Sequence, residues 1–286
     1  MTDTGADAAG TDTGSGVGAH NLHVRDLGGD GRPVVLIHGW PLSSESWSEQ
    51  IPALRDAGYR VVAYDRRGFG QSGPGDGYDY DALTGDLDNV MSDLDLTGAT
   101  LVGFSMGGGE VARYVARHGT ERLHSVVFAA AVPPYLLKSE DNPDGPLTED
   151  VAGGMRDGLE SDRDAFFDRF MTAFFSAGDE LKVSEEQRQA ALAMCRQSDQ
   201  QAALGCMQAF GTTDFRGDLA KLDEAGLPTL VIHGDSDGTV PFEGSGQRTH
   251  EAVSGSELVV VEGGPHGLNV SHASEFNAAL LDFLGR

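Results

Sequence analysis

Two cysteines, three lysines and no apolar run near the length of a membrane span set the first limits on this chain of 286 residues. Cys195 and Cys206 form no Cys-x-x-Cys pair and fall in helix-like sequence, which reads as two reduced, buried thiols. No stretch approaches the ~20 apolar residues that span a bilayer. Lysine occurs only at Lys138, Lys182 and Lys221, and Asp and Glu outnumber Lys and Arg 45 to 20, a formal charge of −25. That balance excludes the basic face needed for nucleic acid or an anionic membrane. Such an acidic, lysine-poor surface fits a halophilic protein, because salt screens its self-repulsion. Met1 to Gly18 lacks the basic start and apolar core of a signal peptide, so residues 1–20 are expected to be a disordered acidic tail on a cytoplasmic protein. None of the nine histidines pairs with another at metal-ligand spacing on one element, so no metal is expected.

What the chain does have is alternation. Apolar, β-branched runs at Pro33–Ile37, Tyr59–Asp65, Ala99–Val102, Leu123–Ala131, Leu227–Ile232 and Glu257–Val261 read as strands covered on both faces, with an edge strand at Leu22–Leu27. Helical spacing lies between them, over Ser46–Ala57, Tyr80–Leu94, Gly108–Ala116, Phe242–Ala252 and His272–Leu284. The pattern implies an α/β fold, a mostly parallel sheet with helices on both faces. From Tyr135 to Gly217 no strand is legible, only helices at Thr148–Leu159, Asp162–Phe175, Ser184–Cys195 and Gln200–Phe210. Residues 135–217 are therefore expected to be a helical cap inserted in a core of 21–134 and 218–286. The stripe Phe166, Phe167, Phe170, Phe174 and Phe175 reads first as packing between cap helices and second as pocket lining.

The chemistry centres on Gly103-Phe104-Ser105-Met106-Gly107, set between a strand and a helix. In that context Gly-x-Ser-x-Gly marks a sharp turn that lifts one serine hydroxyl above a sheet. Gly103 and Gly107 fall where side chains would collide across the bend, and Gly108 and Gly109 allow close packing on the strands. A phosphate loop would need a lysine that is missing here. A serine needs a base and an orienting acid. Two later strands end in candidates: His233-Gly234-Asp235-Ser236-Asp237 and Glu262-Gly263-Gly264-Pro265-His266. His266 would move the serine proton, with an aspartate on its other ring nitrogen. His38 and His233, each in a strand-His-Gly context, read as structural turn histidines.

Together, His38-Gly39-Trp40-Pro41-Leu42-Ser43, Tyr64-Asp65-Arg66-Arg67-Gly68-Phe69-Gly70-Gln71-Ser72 and Gly103 to Glu110 resemble the α/β-hydrolase fold. More narrowly, they are similar to its cofactor-free bacterial haloperoxidases (non-heme chloroperoxidases), which are esterases and perhydrolases. The resemblance covers Leu22 to Arg286. It implies Ser105 as nucleophile, His266 as base and Asp237 as acid, with Asp235 the competing choice. It also implies backbone amides of Trp40 and Met106 as oxyanion hole, and Trp40, Pro41 and Phe104 around an apolar substrate pocket. A proline after Trp40 accompanies perhydrolysis in that family, hydrogen peroxide replacing water in deacylation. The implied partners are a small ester or carboxylic acid and hydrogen peroxide, with no cofactor; a homo-oligomer is compatible with all of this. Competing readings are a lactonase or carbon–carbon bond hydrolase with the same triad, and a non-catalytic ligand-binding protein on the same scaffold. The charge excess carries its own test. The melting temperature is expected to rise between low and multimolar salt, and a flat or falling value would contradict the salt-adapted surface.

Overall fold

The computed structural model describes residues 15–17 and 22–286. Eight strands form one sheet: β1 (Ser15–Val17), β2 (Leu22–Asp26), β3 (Pro33–Ile37), β4 (Arg60–Tyr64), β5 (Ala99–Phe104), β6 (Leu123–Ala129), and, beyond a two-stranded hairpin of β7 (Ser176–Ala177) and β8 (Glu180–Leu181), β9 (Thr229–Gly234) and β10 (Glu257–Val261). Their order is β1-β2-β4-β3-β5-β6-β9-β10, antiparallel at β1/β2 and β2/β4 and parallel elsewhere. The central strands β5 and β9 are buried at every residue, which explains their unbroken apolar runs. Eleven helices follow among the described residues: α1 (Gln50–Asp56), α2 (Tyr80–Asp93), α3 (Met106–His118), α4 (Glu149–Ser161), α5 (Arg163–Phe174), α6 (Glu185–Gln197), α7 (Gln200–Thr212), α8 (Arg216–Ala225), α9 (Gly246–Ala252), α10 (Leu268–Ser271) and α11 (Ala273–Leu284).

The chain leaves β3 towards β4, then returns to place β5 on the other side of β3. A parallel sheet opens a crevice at such a reversal, beyond the carboxyl ends of its strands. The loops after β3 and β5 face each other across it.

Several elements differ from the sequence reading. Of the expected tail, residues 1–14 and 18–20 lie outside the described residues, while Ser15–Val17 pairs with β2. The segment between β6 and β9, expected to be all helix and here termed the cap, contains the hairpin β7–β8, turning at Gly178 with φ +59. Two-residue strands are too short to show a period. Helix α8 was not anticipated, because only Leu219 and Leu222 of its ten residues are buried. The expected helices at Ser46 and Phe242 each divide into a short first turn and a separate helix, whereas the one expected at His272–Leu284 is the single helix α11, preceded by the short α10. Both cysteines are free and buried, and burial pushes the Cys206 thiol up to about 12.

The cap is stitched to the sheet at both ends and through its middle. It leaves the sheet at Pro134, whose carbonyl accepts the Phe215 amide at 2.8 Å where the chain returns. Phe215 meets the Tyr80 ring edge-on at 4.7 Å. Between these ends, Trp40 rises from the loop after β3 into the cap. Its ring meets Phe166, Phe167, Phe170 and Phe210 edge-on at 5.2 to 6.2 Å, and its indole N–H donates to the Ala203 carbonyl at 3.0 Å.

Behind that loop lies a buried ion pair. Arg66 and Glu110 are 1% and 0% exposed, and Arg66 Nε donates to Glu110 Oε1 at 2.7 Å. Tyr64 Oη donates to Glu110 Oε2 at 2.8 Å, and Arg66 Nη2 to the His38 carbonyl at 2.7 Å. Burial pushes the Glu110 carboxyl up, against the pull of Arg66 and two hydrogen bonds. A buried pair is costly to break from one side, because the remaining charge keeps its desolvation cost. Glu110→Ala is expected to destabilise the protein by about 3–5 kcal/mol, read from the denaturant midpoint. A loss below about 1 kcal/mol, the scale of an exposed pair, would show that Arg66 finds other compensation.

Candidate active site

Ser105 sits between the end of β5 and the first turn of α3, with φ 55 and ψ −117. A non-glycine residue takes such angles only where its surroundings impose them, at about 1–3 kcal/mol. The imposing contacts are visible: the Ser105 amide donates to the Ala129 carbonyl at 2.8 Å, and its carbonyl accepts from Gly108 at 3.1 Å and Val132 at 3.2 Å. The flanking glycines work as anticipated. A Cβ at Gly103 would lie 2.5 Å from the Gly107 carbonyl oxygen, and one at Gly107 would lie 2.5 Å from that of Ile37. Close packing extends into α3, where a Cβ on Gly108 would meet Ala131 at 2.4 Å.

His266, on the loop after β10, places Nε2 2.9 Å from Ser105 Oγ and Nδ1 2.7 Å from Asp237 Oδ2. Asp237, on the loop after β9, also accepts at Oδ1 from the Thr239 amide at 2.9 Å and the Val240 amide at 2.8 Å. Burial alone would push this carboxyl up. The neighbouring His266 and the hydrogen bonds from His233 and His266 outweigh it and hold Asp237 well below the usual carboxylate range. An ionised carboxylate only accepts, so the His266 proton belongs on Nδ1 and Nε2 is free to accept from the serine hydroxyl. Asp235 is elsewhere: exposed, with Oδ1 accepting from the Gly263 amide at 2.7 Å, it ties the loops after β9 and β10 together.

The loop after β3 packs against the turn from the other side. A Cβ at Gly39 would fall 2.8 Å from the Phe104 ring and 3.0 Å from Ser105 Cβ. His38 holds this loop's shape. Burial and the adjacent Arg66 keep its imidazole well below the usual range, hence neutral. Its Nε2 accepts from the Arg66 amide at 2.9 Å, leaving Nδ1–H to donate to the Gly39 carbonyl at 2.8 Å. Met106 opens α3, where an amide has no intrahelical acceptor.

A cavity of about 260 Å³ opens in front of Ser105, lined mainly by apolar groups including Trp40, Val132, Leu136, Phe170, Phe210 and Val240. Of the three residues expected around the pocket, Trp40 lines it. Phe104 is fully buried behind it, its ring 5.3 Å from that of His266. Pro41, joined to Trp40 by a cis peptide, is buried away from the cavity lining.

Two contributors escaped the sequence reading. His233 is fully buried; its Nε2 donates to the Val240 carbonyl at 2.8 Å and lies 3.2 Å from Asp237 Oδ2. The four-residue spacing of His233 and Asp237 across a turn was the available signal. Phe174, on α5, meets the His266 ring edge-on at 4.8 Å. The aromatic stripe thus serves both roles considered for it, since Phe170 lines the cavity while its neighbours pack around Trp40 and His266.

Chemically, the arrangement offers a hydroxyl aligned with an imidazole acceptor, an anion that orients and supports an imidazolium, and an apolar chamber beside them. Residues 32–273 match a family model described as the alpha/beta hydrolase fold. A bromoperoxidase from Bacillus anthracis superposes with a TM-score of 0.91 at 53% identity, covering 93% of this chain and 96% of that one. A non-heme chloroperoxidase of Kitasatospora aureofaciens is 44% identical over 90% of this chain and 94% of its own. A bifunctional esterase/perhydrolase of Acinetobacter calcoaceticus is 37% identical over 92% and 96%. With the sheet order, the serine turn and these likenesses in agreement, the chain belongs to the α/β-hydrolase family.

Proposed function

We propose that the chain is a serine esterase acting on small carboxylic esters, and that hydrogen peroxide can replace water as the acyl acceptor. The observation that carries this reading is the unbroken line from Ser105 Oγ through His266 to Asp237, at 2.9 and 2.7 Å, opening on an apolar chamber. Ser105 Oγ attacks the ester carbonyl while His266 Nε2 takes the hydroxyl proton. The oxyanion that forms is held by the amides of Trp40 and Met106, each donor worth about 3 kcal/mol in the transition state. Collapse breaks the ester C–O bond, and His266 returns the proton to the departing alkoxide. The acyl group now rests on Ser105. Water, deprotonated by His266, releases a carboxylic acid; hydrogen peroxide in the same position releases a peracid. The peracid then oxidises halide in free solution, so halogenation is indirect.

The peroxide branch draws support from two sides. Trp40-Pro41 matches the family pattern associated with perhydrolysis, and among the relatives are a bifunctional esterase/perhydrolase and several non-heme haloperoxidases. The acidic charge and the Lys-poor surface support a small neutral or apolar substrate rather than a polyanion.

With a short-chain nitrophenyl ester in high salt, Ser105→Ala or His266→Ala is expected to lower kcat by about 10⁴- to 10⁶-fold; wild-type turnover in either variant would exclude the mechanism. Bromination of a dye is expected to require peroxide and a carboxylate such as acetate together. Halogenation undiminished without the carboxylate would contradict the peracid route.

A further inference from the structure

The chamber in front of Ser105 has a neighbour. A second cavity of about 250 Å³ lies between α4 and α7, floored by Leu137, Ala152, Leu204 and Met207. The two cavities share three wall residues, Leu147, Met155 and Phe210, each half-buried and each on a different segment of the cap. Ser105 lines only the inner chamber.

The partition between them is built from parts that can yield. Methionine is unbranched and adapts to irregular space. Met155 sits on α4, which buries only Leu159 among its thirteen residues, and a Cβ at Gly153 or Gly154 would touch nothing within 4 Å. At Gly153 and Gly154 this stretch of helix therefore has room for a small shift. The inner chamber alone falls just below the ~300–1,000 Å³ usual for ligand sites, whereas the two together sit well inside that range.

We propose that the outer cavity is a second subsite for the apolar chain of a medium-length ester, reached from Ser105 past Met155 and Phe210. This rests on the esterase reading above. A short ester fits the inner chamber; a longer chain displaces the Met155 side chain and lies along α7 against Leu204 and Met207. The polar groups at the outer cavity, Arg156, Gln208 and Thr212, are exposed at its rim and leave the floor apolar. Chains short of the partition gain nothing from the outer cavity, so the two subsites separate by chain length.

The readout is the ratio of kcat/KM for nitrophenyl octanoate to that for nitrophenyl acetate. Filling the outer cavity with Gln208→Trp, at an exposed position on α7, or with Ala152→Trp on α4 is expected to lower the ratio at least about tenfold, the worth of about two buried methylenes. Thinning the partition with Met155→Ala is expected to raise it. A ratio unchanged within about twofold in both tryptophan variants, while acetate is still cleaved, would overturn the second subsite and leave the esterase reading intact. Failure of the wild type to cleave any ester of the series would instead sink the reading on which this inference rests.

Discussion

The turn at Ser105 is the constraint on which the other parts of the site depend. Its backbone occupies a region that costs a side-chain-bearing residue about 1–3 kcal/mol, and it is held there by neighbours rather than by its own preference. β6 supplies a carbonyl to its amide, the chain just beyond β6 supplies an amide to its carbonyl, and β3 closes on Gly107. The β3 approach is one that a Cβ would block, since one at Gly107 would lie 2.5 Å from the Ile37 carbonyl oxygen. The position of one hydroxyl is therefore a property of three adjacent strands, and the motif's glycines are the condition for bringing them that close.

The sheet's order turns that local constraint into a site. Because the chain reverses direction between β3 and β5, the loop bearing Trp40 and the turn bearing Ser105 face one another, while β9 and β10 deliver Asp237 and His266 from the far side. Each group is then locked by its own surroundings. Asp237 is held ionised by four donors, the His266 ring is wedged against Phe104 and Phe174, and the Trp40 loop is fixed from below by neutral His38 and Arg66. Trp40 also joins sheet and cap, so the wall of the chamber and the anchor of its roof are the same residue.

Much of this was legible in the sequence because it is encoded locally. Strands buried on both faces announce themselves as apolar runs, and Ser105, Asp237 and His266 each fall just past such a run. The choice of Asp237 over Asp235 came from the family resemblance; in the structure Asp237 lies against His266, while Asp235 bonds the Gly263 amide. What was not legible depends on long-range packing. Arg66 and Glu110 are 44 positions apart, and nothing local says that they meet in the core. Phe104 reads as pocket-lining from its place beside the serine, yet long-range packing buries its ring fully among Trp47, Phe174 and His266. α8 and the β7–β8 hairpin are too short, or too sparsely apolar, to show a period of their own.

The central claim is that an acyl group is carried on Ser105 between two half-reactions. The direct measurement is rapid mixing of the enzyme with excess nitrophenyl acetate, followed by acid quench and peptide mass mapping. The account predicts a burst of one nitrophenolate per active chain, with the acetyl group on the peptide containing Ser105. Acetyl found on another residue in the burst, or a fully competent enzyme whose quenched acyl label never includes Ser105, would contradict it.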